Sequence, residues 1–566
     1  MRKLLFVVAG LSLPLAMGAA QAADLAPRHS IPREVWRWTG LYLGAHIGAG
    51  WGQSDFNDGT GPVLYGNDVR TPLVRGGGQF GYNWQAAGSA WMLGAEAELS
   101  ALGADGTNTC FATSGAISSA NCRVRQSALG SLTGRIGHSA GTDGRTLLYA
   151  KGGGAWLAEK IDITTFSNTP TSMRSDRFGW TVGAGIEHAI APAWSVRLEY
   201  DYADFGTTQM ATPRTVGFIP SLPFPAVLSG GSTSIAQTMQ TVKLGVNLKL
   251  DADSGARWGA VQANPLGLPL KAKPTTPPPG TEFEIGGRVW YSSGRFQKDL
   301  GANRNPALQD MLVSRLTYQS DAASGEVFGR VDTASNVVIK GFIGGGNLTR
   351  GRMNDEDWLT YDGGPPYSNT LSDPVTGSIG YITADVGYDI IRDRAGKLAG
   401  FIGYNYLRDD KTAKGCRQLA ELGGSCDAEP NTVSVISEKN QWHSLRIGLN
   451  GVMALTDRLQ LTGDAAYLPY VNFHGVDNHM LRTREATNLS PESGTGQGVQ
   501  LEAVLSYKIT PSFSVGAGGR YWAMWATKTD AYTAPFGMIC PCQALPVRSE
   551  RYGGFLQASY TFDSFQ

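Results

Sequence analysis

Apolar and polar residues alternate along most of this chain with a period of two, the pattern of β-strands whose faces meet unlike surroundings. In the run from Val242 to Leu250 every second side chain is apolar without interruption. Val196, Leu198, Tyr200 and Tyr202 alternate in the same way with Arg197, Glu199 and Asp201. The stretches Phe283 to Tyr291, Leu459 to Tyr467 and Val499 to Ile509 repeat the pattern. A strand of an ordinary sandwich also alternates. These segments, however, run for about ten residues or more, and their polar face carries charges and glycine. That suits strands crossing a membrane between lipid and a crowded lumen.

The first half yields eight strands, beginning near Trp38, Val74, Trp91, Arg125, Thr146, Phe178, Trp194 and Thr241. Short connections (Ala86 to Ser89, Ala191 to Ala193) alternate with long ones (Ser54 to Thr71, Gly103 to Cys122, Phe205 to Ala236). Such alternation belongs to a barrel with short periplasmic turns and longer outer loops. From Asp251 to Gly280 the pattern stops, and Pro269, Pro274, Pro277, Pro278 and Pro279 make a stiff, extended linker. The second half yields ten strands, beginning near Phe283, Val313, Val337, Gly377, Leu398, Val435, Arg458, Gly498, Phe513 and Arg548. Short turns are expected at Asp332 to Asn336, Ile391 to Lys397, Thr456-Asp457 and Thr510-Pro511. The fold class is therefore all-β, with two tandem antiparallel transmembrane barrels of 8 and 10 strands. A single eighteen-stranded barrel is the rival. It would pair Phe283 with the strand ending at Leu250 instead of the last strand near Phe562.

Composition narrows the setting. Arg2 and Lys3 precede an apolar run from Leu4 to Leu15, and Ala20-Gln21-Ala22 offers a small-x-small cleavage pattern, so residues 1–22 read as a secretory signal peptide. The remaining divisions are residues 23–250 for the first barrel, 251–281 for the linker and 282–566 for the second barrel. After the signal peptide, no apolar run has the length that a spanning helix needs, so a membrane location requires a barrel. The expected location is the cell outer membrane of a Gram-negative bacterium. Lys plus Arg and Asp plus Glu both number 48, which removes any bulk electrostatic case for a nucleic-acid partner. The six cysteines form three local pairs, Cys110 with Cys122, Cys416 with Cys426 and Cys540 with Cys542. In an oxidising compartment these are candidate loop-stapling disulfides. Their spacing matches no zinc site, and no metal or organic cofactor is expected.

Trp38-Thr39-Gly40-Leu41-Tyr42-Leu43-Gly44 through Gly50-Trp51-Gly52, with Gly152 to Trp156 and Leu198-Glu199-Tyr200, resembles the opacity-type outer-membrane surface antigens, an eight-stranded barrel family. That resemblance spans roughly Trp38 to Leu250 and implies a filled lumen, surface exposure and no chemistry. Roughly Glu282 to Phe562 resembles the omptin proteases, ten-stranded outer-membrane barrels with an active site at the extracellular rim. The residues that carry it are Gly351 to Trp358 after the third strand and Asp477-Asn478-His479 after the seventh. The resemblance implies an endopeptidase in which Asp355 and Asp357 face Asp477 and His479 across the mouth and activate a water between them.

Elementary chemistry fits that implication. Residues two apart on an extended strand share a side, so Asp355 can act with Asp357, and Asp477 with His479. A carboxylate beside an imidazole fixes its tautomer, and a second carboxylate orients the water. The sequence also departs from the family. The acids expected to select a basic side chain fall at Gly475 and at Lys298, or at Asp299 if the first strand is shifted by one. His474, close to this motif, is a further specificity candidate, with an ordinary loop-end histidine as its default reading. Omptins require lipopolysaccharide, and Tyr404 and Arg408 match part of its clamp, where Tyr406 replaces an acid. An interface girdle is the plainer reading of the same residues. The partners implied are outer-membrane lipid, lipopolysaccharide and a peptide or protein substrate at the cell surface. The alternative is a non-catalytic surface antigen, adhesin or minor porin.

Overall fold

The computed structural model describes residues 36–58, 67–110, 119–141, 143–165, 171–191, 193–217, 226–228, 230–250, 280–301, 312–360, 364–392, 396–420, 426, 429–481, 489–533 and 540–563. The expected signal peptide and most of the Pro-rich linker lie outside these residues.

The first half forms a closed antiparallel barrel. Its strands are β1 (Gly40–Asp58), β2 (Asp68–Gln85), β3 (Trp91–Thr109), β4 (Asn121–Ala140), β5 (Thr146–Thr164), β6 (Thr171–Ala191), β7 (Trp194–Ala211) and β10 (Ser232–Lys249). A small hairpin of β8 (Thr215–Gly217) and β9 (Ala226–Leu228) lies in the connection before β10. Closure comes from β1 against β10, with Leu43 opposite Leu248. Inward positions carry the charges. Arg197, Lys151 and Lys243 sit among Glu96, Glu98, Glu199 and Asp201, with Lys151 2.6 Å from Glu199 and Lys243 2.8 Å from Asp201. Buried charges persist only when paired, and here the pairing also fills the lumen.

The second half forms a ring of β11 (Glu282–Gly301), β12 (Leu312–Asp332), β13 (Val337–Thr360), β15 (Val375–Arg392), β16 (Gly396–Ala420), β17 (Glu429–Ala454), β18 (Leu459–His479), β19 (Leu489–Lys508), β20 (Phe513–Thr533) and β21 (Cys540–Asp563). The decisive closure is β11 with β21, where Phe283 lies opposite Phe562 and their rings stack 5.4 Å apart. Two separate barrels, and not one large one, follow from that register. An unexpected strand, β14 (Gly364–Ser372), folds back on β13 at the rim and bridges to β16. Strands such as β2, β4, β6 and β10 begin several residues before the positions expected from periodicity. They extend beyond the lipid, where the outer face need not be apolar and the alternation fades.

On the wall of the second barrel Ile285, Val289, Val327, Ile343, Val386 and Ile402 are exposed, as lipid-facing residues must be. Inside, Trp290, Phe342, Tyr381, Trp522 and Phe555 converge around Arg520, whose guanidinium lies 4.5 Å from the Phe342 ring centre and 4.9 Å from that of Trp290. Arg520 also reaches Glu326 at 2.7 Å and Glu502 at 2.6 Å. Gly344 makes room for this layer, since a Cβ there would lie 2.6 Å from the Tyr381 ring. Below the layer, on the side of the short turns, is a polar cavity of about 170 Å³ lined by Arg330, Lys340, Asp385, Arg446 and Asp464 among others. The aromatic layer separates that cavity from the opposite mouth.

Candidate active site

The mouth above the aromatic layer is built by inward positions of facing strands. In β13, Asp355 lies opposite Leu316 and Asp357 opposite Ser314, with Leu316 buried in the lumen core, so both acids take the inward phase. In β18, Asp477 lies opposite Glu438 and His479 opposite Ile436. His479 Nδ1 is 3.4 Å from an Asp477 carboxylate oxygen. Asp477 is buried, whereas His479 keeps partial exposure. Tyr318 stands between the two walls, fully buried, within electrostatic reach of Asp355 on one side and of Asp477 and Glu438 on the other. The two motifs therefore face one shared space.

Lys298 settles the phase of the first strand. It points inward, and its ammonium reaches Glu438 and Asp477 at 3.0 Å each and Glu492 at 2.7 Å. Asp299 takes the opposite phase and receives two hydrogen bonds from Arg315, so it does not line the mouth. Glu438 and Glu492 are the residues that sequence reasoning missed. Glu492 lies directly opposite Gly475. A Cβ at Gly475 would come within 2.7 Å of Phe473 and 3.3 Å of a Glu492 oxygen. The missing acid at 475 is thus replaced in space by a carboxylate from the neighbouring strand. The pairing of Glu438 with Asp477 and of Glu492 with Gly475 was the available signal, but it requires the register.

These groups lie beyond the aromatic girdle, because Glu438 precedes His443, which pairs with Tyr406 of the girdle. Burial pushes the Glu438 carboxyl up to about 8, with the neighbouring charges of Glu492 and Asp477 adding to the effect against Lys298. Burial likewise raises Glu492. Burial opposes the charge on Lys298, yet Asp477, Glu438 and Glu492 hold its ammonium well above the usual lysine range. The pocket beside the Asp-His pair thus has three carboxylates around one internal cation.

Comparison with known proteins agrees with both halves. The family model of the outer membrane protein beta-barrel domain matches residues 10–219, and that of the Omptin family matches residues 331–534. The 31 kDa outer-membrane immunogenic protein of Brucella melitensis is 32% identical over 203 residues, covering 33% of this chain and 82% of that protein. The chain belongs to the outer-membrane β-barrel proteins, and its second half contains a segment, residues 331–534, that is similar to the Omptin family. The 22 kDa outer membrane protein of Rhizobium leguminosarum is 29% identical over 231 residues, covering 41% of this chain and 83% of that protein. Among solved structures, the outer membrane protease OmpT from Escherichia coli matches at 15% identity and a TM-score of 0.44, covering 51% of this chain and 99% of that one.

On the outer wall of the second barrel, Tyr404 meets His443, with its hydroxyl 2.6 Å from Nδ1. Arg408 pairs with Asp410 two residues on. His474 belongs to this wall and not to the mouth: it is 3.1 Å from Asn472, and its ring lies 6.4 Å from that of His443. Its expected specificity role is therefore withdrawn, since the period-2 phase that turns Gly475 and Asp477 inward turns His474 out. The cysteine pairs Cys110–Cys122 and Cys416–Cys426 are bonded, with Cα separations of 5.6 and 5.9 Å. Cys540 and Cys542 open β21, and their side chains lie outside the described residues.

Proposed function

We propose that the omptin barrel is a surface endopeptidase that hydrolyses a peptide bond with a water held between Asp355 and His479. The observation that carries this reading is the placing of the Asp477–His479 pair on the inward face of β18, across the same mouth as the inward acids of β13. The Asp477 carboxylate, 3.4 Å from Nδ1 of His479, favours the proton on that nitrogen, which leaves Nε2 as the base toward the water. Asp355 orients that water and shares its developing charge, and Asp357 is the fourth member of the group. Attack on the carbonyl passes the water proton to Nε2, from which the leaving amine recovers it.

The carboxylates of Glu438 and Glu492 form the floor beside this group, already occupied by Lys298, so a substrate side chain entering there competes with an internal ammonium. Tyr404 and Arg408 offer an aromatic face and a cation for a lipopolysaccharide headgroup on the outer wall. The first barrel has a filled lumen, and its Brucella relative is named as an immunogenic outer-membrane protein. A surface-exposed, non-catalytic role is accordingly proposed for that half. The aromatic layer around Arg520 argues against a pore through the second.

The test is cleavage of a diverse peptide library by the full-length protein refolded with lipopolysaccharide. Cleavage is expected, and His479→Ala and Asp355→Ala should each lower kcat/KM by about 100-fold or more, the range typical of a lost acid-base group. Equal inertness of the wild type and both variants would leave the antigen reading in possession.

A further inference from the structure

The two barrels of this chain touch, and the contact reaches the strands that carry the candidate site. At the height of the lipid, Ala49, Trp51 and Val74 of the first barrel pack with Val499, Leu501, Tyr521, Ala523 and Trp525 of the second. Trp51 stacks on Tyr552 at 6.0 Å, and the Tyr521 hydroxyl donates to the carbonyl of Gly50 at 3.2 Å. Beside these large side chains the wall of the second barrel carries small residues. Gly463, Ala503, Gly519 and Gly554 stand side by side across four strands, whereas elsewhere the wall exposes large residues such as Val289, Ile343 and Tyr388. Small side chains let two walls approach closely in lipid, where no hydrophobic force drives them together.

Above the lipid the contact becomes polar and specific. Arg315 points away from the omptin lumen yet is fully buried. Besides Asp299, its guanidinium donates to Thr109 Oγ1 at 3.0 Å and to Asn121 Oδ1 at 2.9 Å in the first barrel. Gln297 donates to the Thr107 carbonyl at 3.0 Å, and the Trp358 indole to Ser119 at 2.8 Å. Thr107 and Thr109 end β3, and Ser119 and Asn121 lie where β4 begins; the Cys110–Cys122 disulfide joins the two strands at this end. On β13, Glu356 and Trp358 alternate with Asp355 and Asp357, so the outward residues of the Asp-pair strand are those covered by the first barrel. Glu356 lies opposite Arg315 and accepts a 2.7 Å bond from Tyr367.

We propose that the two barrels form one unit in the membrane, in which the stapled β3–β4 end of the first is a clamp on β11 to β13 of the second. Its function would be to hold the Asp355–Asp357 strand, which stands beyond the lipid, in a fixed position. The union is independent of proteolysis, and only the benefit to catalysis rests on the proposed function.

The experiment inserts a site-specific protease sequence between Lys249 and Glu282 of the full chain, with an affinity tag on the first half. After the cut in detergent, both halves should elute together, each heat-modifiable as a folded barrel is. Quantitative separation of folded halves would overturn the union. Hydrogen exchange of the uncut chain then tests the clamp. In Thr109→Val/Asn121→Leu, amides 353–358 should exchange about tenfold faster than in the wild type, while those of β17 stay unchanged. Unchanged exchange in 353–358 would overturn the clamp. Co-elution with protected amides but no peptidase activity would sink the enzyme reading and leave this proposal standing.

Discussion

Glu438 shows how a single buried carboxyl couples the mouth to pH. In the unfolded chain it titrates near the usual glutamate range, whereas in the barrel burial holds its proton up to about 8. Between those values the folded state binds the extra proton, so stability is full below the unfolded value and falls as pH rises through 8. Glu438→Gln, which is always neutral, removes that loss. The thermal midpoint of the wild type, read by heat-modifiability in detergent, should drop relative to that of Glu438→Gln between pH 5 and pH 9. Parallel curves would show that Glu438 is ionised throughout. The four candidate residues Asp355, Asp357, Asp477 and His479 were named from the resemblance to the omptins, and their strand order agrees with a place on one rim. Glu438 and Glu492 were not legible in the sequence, because each is defined by the residue it faces across a strand pair, and a one-residue slip would turn it to the other face. The same slip explains why Lys298 and Asp299 could be separated only by the fold.

At the scale of the element, strand number and the short turns followed from periodicity, since lipid on one side and a packed lumen on the other force a period of two. The strand ends and β14 did not, because beyond the membrane both faces meet polar surroundings. Within the lumen, the aromatic layer depends on Gly344. A valine there would drive its Cβ toward Tyr381 at 2.6 Å, in a layer where Tyr381 also meets Trp290 and Trp522. Overpacking of this kind costs about 1–3 kcal/mol. Gly344→Val should lower the midpoint of the second barrel, with Gly345→Ala, close only to the Ile379 carbonyl and Gly380, affecting it less. Equal midpoints for both would mean that the layer is loosely packed.

At the scale of the whole molecule, two closed antiparallel barrels gather their short turns at the end where each barrel's first strand begins and its last strand finishes, which leaves β13 and β18 rising together to the opposite rim. The central claim is that residues from these two walls act on one water. Groups that work as a unit lose activity non-additively, because removing either one already abolishes their shared step. The most direct test is a double-mutant cycle of Asp355→Ala and His479→Ala on the cleaved peptide, in the full-length protein with lipopolysaccharide. The account predicts that the double variant is no slower than the worse single one, within about threefold. Losses that multiply would mean that the two walls act separately, contrary to a water held between them.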